Sequence, residues 1–301
     1  MSRELTDIFQ VAGHDFRDSI RSRRLVVWVL LYLSVACAGT FIFSRVLREI
    51  ETQISKAIAV DASKTTGQVT VTLQKSEAIQ KTVRELISDE RLVNQILTLH
   101  PLVIFFAWFT FTFMPLLVII ICSDAIARDI NTRHVRFFLF RTSRSAYAVG
   151  KGVSSAFLLL IALSCSAIAT YVTGALDGQV ILDLGSAFHM LLFLLKSWFL
   201  MLSYLGIALM ASQLRRSPLQ AQSLALMIFF ILAILHPIAS VKTGPGFARL
   251  WSVATILSPS STIYDLWHPA LANNLKSITR CLGLGFIYFF LGFLYFSKRD
   301  V

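Results

Sequence analysis

At 301 residues, with 55% hydrophobic and only 15% charged side chains and a mean hydropathy of +0.68, the chain is far more apolar than soluble domains, which are about half apolar and a quarter charged. That excludes an ordinary soluble enzyme or binding module and makes lipid the solvent to reason from. A formal net charge of +11 would suit nucleic acid in a soluble protein; in a membrane protein it is read by position, and no nucleic-acid partner is expected.

Leu5, Ile8, Phe9, Ala12, Phe16 and Ile20 recur three or four apart, while Arg3, Asp7, Asp15 and Asp18 point elsewhere. This predicts an amphipathic helix within 1–24 that lies in the membrane interface. The basic cluster Arg21, Arg23 and Arg24 anchors its end. The apolar run 25–43, about 19 residues and long enough for a ~30 Å hydrocarbon core, is the first span. A signal peptide is the alternative, but the leader is long and acidic, and Cys37 lacks a Leu three places earlier.

Hydrophobicity drops over 44–100, where Val46, Ile50, Ile54 and Ile58, then Ile79, Val83, Leu86 and Ile87, keep a helical spacing around Gly67. An extracytoplasmic helical hairpin is expected there, and it is a candidate surface for an outer partner protein. Residues 101–122 form the second span and 152–173 the third, with the basic segment 123–151 between them. The fourth span, 187–212, carries His189 and Lys196 and turns at Arg215-Arg216-Ser217-Pro218 into the fifth, 220–240. Gly244-Pro245-Gly246, Pro259 and Pro269 break the outer segment 241–277 into short re-entrant or surface-lying helices. The sixth span, 278–296, leads to the tail 297–301. The expected fold is an all-α polytopic membrane protein with six transmembrane helices.

Short outer loops hold only Lys242, Arg249, Lys276 and Arg280, whereas the amino terminus, 123–151, the turn after span four and the tail carry the dense Lys/Arg clusters. Both termini are therefore expected in the cytoplasm. The cysteines, Cys37, Cys122, Cys165 and Cys281, lie in or beside apolar runs with no CxxC or Cys/His spacing and read as small hydrophobes, not as metal ligands or disulfides.

Asp124, Ile126 and Ala127, then Asp129, the apolar block 135–139, Ser143-Arg144 and Gly150-Lys151 resemble the segment after the second span in ABC-2 type permeases of the NosY-like class. Arg133-His134 stand where Gly-Thr is usual in that family, Arg141 lies near the usual Pro, and the block is about one residue short. The layout also matches: an amphipathic amino-terminal helix, six spans, and a broken outer segment with Ser258-Pro259. The resemblance implies the transmembrane subunit of a bacterial ABC exporter in the inner membrane, working with two copies of a separate ATPase subunit that binds ATP and Mg. It also implies a second permease copy, as a homodimer or as a heterodimer with a related chain, and no cofactor bound by this chain. Asp124, Asp129, Arg133, His134, Arg136 and Arg144 are the residues it places at the ATPase contact. Phe137, Phe138 and Phe140 would enter the interface from a short surface helix. The plainer reading makes this segment the positive-inside signal and an anchor to anionic lipids.

No ATP site of its own is expected, because Ser145 occupies the Gly place of a Walker A loop before Gly150-Lys151, and neither Gly152 nor Val153 behind it is the Ser or Thr that belongs there. The histidines show no HExxH spacing, and no Gly-x-Ser-x-Gly elbow occurs. Lys196 and His189 are candidates for a translocation pathway; the alternative is a Lys snorkelling to the nearer surface. Two other functional classes stay open: an ATP-independent secondary transporter, which would want internal repeats, and a membrane scaffold that binds an outer partner through 44–100.

Overall fold

The computed structural model describes residues 3–21, 24–58, 84–85, 87, 89–176, 184–240, 253 and 255–299, and among these there is no strand. Helix α1 spans Arg3–Arg21, α2 Arg24–Ile58, α3 Glu90–Thr98 and α4 Pro101–Cys122. Two short helices, α5 (Ala125–Asn131) and α6 (His134–Leu139), precede α7 (Arg144–Leu176). Then come α8 (Leu184–Leu214), α9 (Pro218–Ser240), a 3-10 turn at Pro259–Thr262, α10 (Ile263–Trp267) and α11 (Leu271–Lys298). Six of these, α2, α4, α7, α8, α9 and α11, are long and apolar enough to cross a bilayer, so the protein is an all-α, multi-pass membrane protein.

Local chemistry explains several helix ends. Pro101 opens α4 at a position where its missing N–H costs nothing, and His100 Nδ1 accepts the Leu102 N–H at 3.2 Å. Ser143 Oγ accepts the Ala146 N–H at 3.1 Å, so α7 starts well ahead of the apolar stretch that begins at Gly152. Helix α2 likewise continues beyond Phe43 to Ile58, which makes the first arm of the expected hairpin continuous with the first span. The hairpin's apex, 59–83, lies outside the described residues, as does Arg23.

Helix α8 is the axis of the bundle. It packs on α4, α7, α9 and α11, and from Leu200 to Gln213 it is buried on nearly every side except at Leu202, as a helix that is apolar all round must be. Its closest neighbour is α11. A methyl group on Gly206 would lie 2.7 Å from Gly285 Cα, and one on Gly285 would lie 2.7 Å from the Leu202 carbonyl oxygen. Backbone touches backbone here, which small residues permit between membrane helices. Ser203 Oγ donates to the Cys281 carbonyl at 2.9 Å in the same seam.

The bundle has two chemically different ends. At the basal end, which holds α1, α5 and α6, Arg144 Nη1 donates to the carbonyls of Phe296 (3.2 Å), Ser297 (2.7 Å) and Arg299 (2.8 Å) and closes the last turn of α11. At the distal end, α3 is tied to the segment before α11. His268 Nδ1 accepts the Ala270 N–H at 3.0 Å, which leaves its Nε2–H to donate to Asp89 at 3.1 Å. Lys196 Nζ donates to the Leu266 carbonyl at 2.8 Å, fastening α10 to α8. Trp267, at the end of α10, packs its ring against Phe111 of α4 and Phe193 of α8.

Two outcomes follow for stability. Gly285→Ala should cost about 1–3 kcal/mol, because the intruding methyl meets a backbone that cannot yield. Gly283→Ala, with nothing within 4 Å of the new methyl, should be tolerated; equal melting temperatures in detergent would refute the backbone contact. The second concerns Asp89, whose carboxyl loses some hydration, yet the N–H groups of Arg91 and Leu92 and the His268 ring outweigh that and hold it below its ordinary value of 3.8. A carboxyl held low when folded adds stability that is complete above its unfolded value and is lost as pH falls through the folded value. Asp89→Asn should therefore melt below wild type at neutral pH, with the gap closing below about pH 4; a gap that stays constant down to acid pH would exclude the charge as its source.

Candidate functional site

The segment between α4 and α7 folds into two helices too short to persist unaided, and side chains from the spans hold them. Two of the opening N–H groups of α5, those of Ile126 and Ala127, donate at 2.9 Å to Ser212 Oγ, a buried hydroxyl near the end of α8. Ser212 thus does the work of an N-cap from another helix. Asp124 holds the N-cap position but makes no cap bond; it turns to pair with Arg128 one turn on. Ile126, Ala127 and Val135 seal the underside, each fully buried.

The electrostatic centre is Lys151. Its ammonium pairs with Asp129 of α5 at 2.8 Å and with Asp15 of α1, while Tyr147 Oη donates to Asp129 at 2.6 Å. The three charged side chains are 9%, 15% and 14% exposed for Lys151, Asp129 and Asp15. Charges so far from water persist only when paired and hydrogen-bonded. Gly150 beside it lets α1 lie directly on α7: an added methyl there would fall 2.8 Å from Val11 Cβ. Phe138 packs its ring against His14 of α1 and Tyr147 of α7. One contiguous assembly therefore joins α1, α5, α6, α7 and α8.

The expected site residues divide into two groups. Arg133, His134 and Arg136 are exposed on α6 and its approach, with Phe137 (72% exposed) and Phe140 (86%) beside them. Asp124, Asp129 and Arg144 face inward, to Arg128, to Lys151 and Tyr147, and to the end of α11; the pattern of the segment did not disclose that each is spent on the protein itself. Phe138 also turns inward, since neighbouring residues on a helix point about 100° apart. Arg133 sits at φ 61° and ψ 9°, the left-handed region that glycine enters freely and other residues enter with strain. That is the place where the resembling family has Gly. Arg21 is exposed at the end of α1, and Arg24 opens α2. Lys196 donates to the Leu266 carbonyl, and His189 Nδ1 lies 2.8 Å from the Gly185 carbonyl, both towards the distal end.

Asp15, Tyr147 and Ser212 were not singled out by the sequence pattern. Tyr147 and Lys151 stand four apart on α7 and so share a face, a signal legible in principle. Ser212 carries no such mark, because its partner is a helix N-terminus far away in the chain.

A family model described as ABC-2 family transporter protein matches residues 9–301. No curated protein matches the chain.

Removing the Lys151 ammonium strands two half-buried carboxylates, so Lys151→Met should cost about 3 kcal/mol, the low end for breaking a buried pair, seen as a lower melting temperature and poor recovery of monodisperse protein. Combining it with Asp15→Asn and Asp129→Asn should restore most of the loss. If single and triple variants melt together, the triad is not what holds α1 and α5 to α7.

Proposed function

The chain belongs to the ABC-2 transporter family, whose membrane proteins work with an ABC ATPase partner, and from that premise we propose that it is the permease subunit of an exporter in the bacterial inner membrane. Two copies of this chain, or this chain and a related one, assemble with two ATPase subunits that bind ATP and Mg. The basic basal end faces the cytoplasm, as the positive-inside rule requires, which puts both termini and the α5–α6 segment on the ATPase side.

The observation that carries this reading is the mounting of α5 and α6. They are fastened on three sides, through Ser212 to α8, through Asp129 and Lys151 to α7, and through Phe138 to α1. Outward they present Arg133, His134, Arg136 and the bare rings of Phe137 and Phe140. A segment held this firmly moves as one piece with the spans, so a push at its exposed face tilts α7 and α8 together instead of bending a loop. Mere lipid anchoring would not call for the inward half of that construction. ATP binds one state of the ATPase pair more tightly than the other, and that difference drives the switch between inward- and outward-facing arrangements.

The test is co-purification with a candidate ABC ATPase, taken first from any neighbouring reading frame that carries Walker A and signature motifs. Arg133→Glu combined with Arg136→Glu should reduce recovery of the complex about tenfold or more through charge repulsion, while the permease alone keeps its melting temperature. Arg21→Glu, a reversal at the same end on α1, should leave the complex intact. Undiminished recovery with both reversed charges on α6 would remove this face from the contact.

A further inference from the structure

A cavity of about 150 Å³ opens at the basal end between α1, α2, α4, α5 and α7. Its walls are apolar, with Leu117, Leu159 and Ala162 among them, and the Tyr32 ring, 2% exposed, lies at its deep side. An apolar space of about this size admits one benzene-sized group or a short hydrocarbon chain.

The polar rim carries Asp15, Asp18, Asp124 and Asp129 against Arg128 and Lys151. Asp124 and Arg128 neutralise each other. Asp15 and Asp129 share the single ammonium of Lys151, which leaves one half-buried negative charge without a counter-ion. Asp18, exposed, has no ion pair among the described residues and adds a second. The rim is therefore acidic by two charges at the end of a molecule whose net charge is +11, against the local trend. Low-dielectric walls beside such a rim concentrate its field on whatever enters.

We propose that this cavity is a binding site for a lipophilic amine, which places its apolar group between Leu117, Leu159 and Ala162 and its ammonium at Asp18 and Asp15. Apolar burial supplies the affinity, at about 25 cal/mol per Å² removed from water. The surplus charge supplies the selectivity: a fatty acid, or the phosphate of a phospholipid, meets a rim of its own sign. Two half-buried carboxylates with one ammonium also gain a counter-ion, which relieves part of the cost that an uncompensated charge away from water imposes. Binding is read on this chain alone, so the proposal stands or falls independently of the ATPase contact.

The experiment titrates octylammonium, octanol and octanoate at neutral pH into the full chain in phosphatidylcholine nanodiscs, with empty nanodiscs subtracted. Octylammonium should saturate at one molecule per chain. Octanol, with the same tail and no charge, should bind about tenfold more weakly, and octanoate more weakly still. Asp18→Asn should weaken octylammonium about fivefold with an unchanged melting temperature, and Ala162→Phe should fill the chamber and abolish binding. Should Ala162→Phe fail to fold, Asp18→Asn and the octanol comparison decide. Equal binding of octanol and octylammonium overturns the proposal, as does an unaffected Asp18→Asn or uptake that merely follows partition into lipid.

Discussion

Lys151 is the charge on which the basal half of the molecule depends. Its neighbours come from three stretches of chain: Asp15 from the amino-terminal helix, Asp129 from the short helix after the second span, and Tyr147 from one turn earlier on α7. None of these groups tolerates its depth alone. Together they oblige α1, α5 and α7 to keep one arrangement, because displacing any one of them exposes a buried charge to a low dielectric without its partner. Hydrophobic packing alone would not be so exacting, since apolar faces can slide past one another at small cost.

The two ends of the bundle are stabilised by different means. The distal end relies on single ties between a side chain and a backbone or a neighbouring ring, such as Lys196 to Leu266 and His268 to Asp89. The basal end relies on ion pairs and on helix ends closed by distant side chains, Ser212 for α5 and Arg144 for α11. Between them α8 and α11 lie close enough that Gly206 and Gly285 leave no space for a side chain, so the middle of the bundle behaves as a rigid shaft between the two ends.

Spans were legible in the sequence because a run of apolar residues is sufficient to make a membrane helix, and the six runs recur as six helices. The amphipathic α1 was legible for a similar reason, through the spacing of Ile8, Ala12 and Phe16. Inward and outward were not legible for the charged residues of 123–151. Asp129 and Arg133 look alike as polar positions in a string, yet one is half-buried against Lys151 and the other is exposed. That difference depends on Tyr147, Lys151 and Asp15 converging in space, which no local pattern records. Ser212 was hidden for the same reason, since any serine on a buried helix looks the same until the helix end that faces it is known.

Arg133 offers a way of weighing what its charge is worth. Holding an arginine in the left-handed region costs on the order of 1 kcal/mol or more, and a glycine would sit there without that strain. The junction between α5 and α6 therefore carries a conformational handicap that a single substitution could abolish, and the handicap persists alongside an exposed guanidinium. Among the described residues no hydrogen bond or ion pair of the guanidinium offsets that strain, so the rest of the fold holds the junction in place, and Arg133 is the position where removing a side chain would relax the backbone.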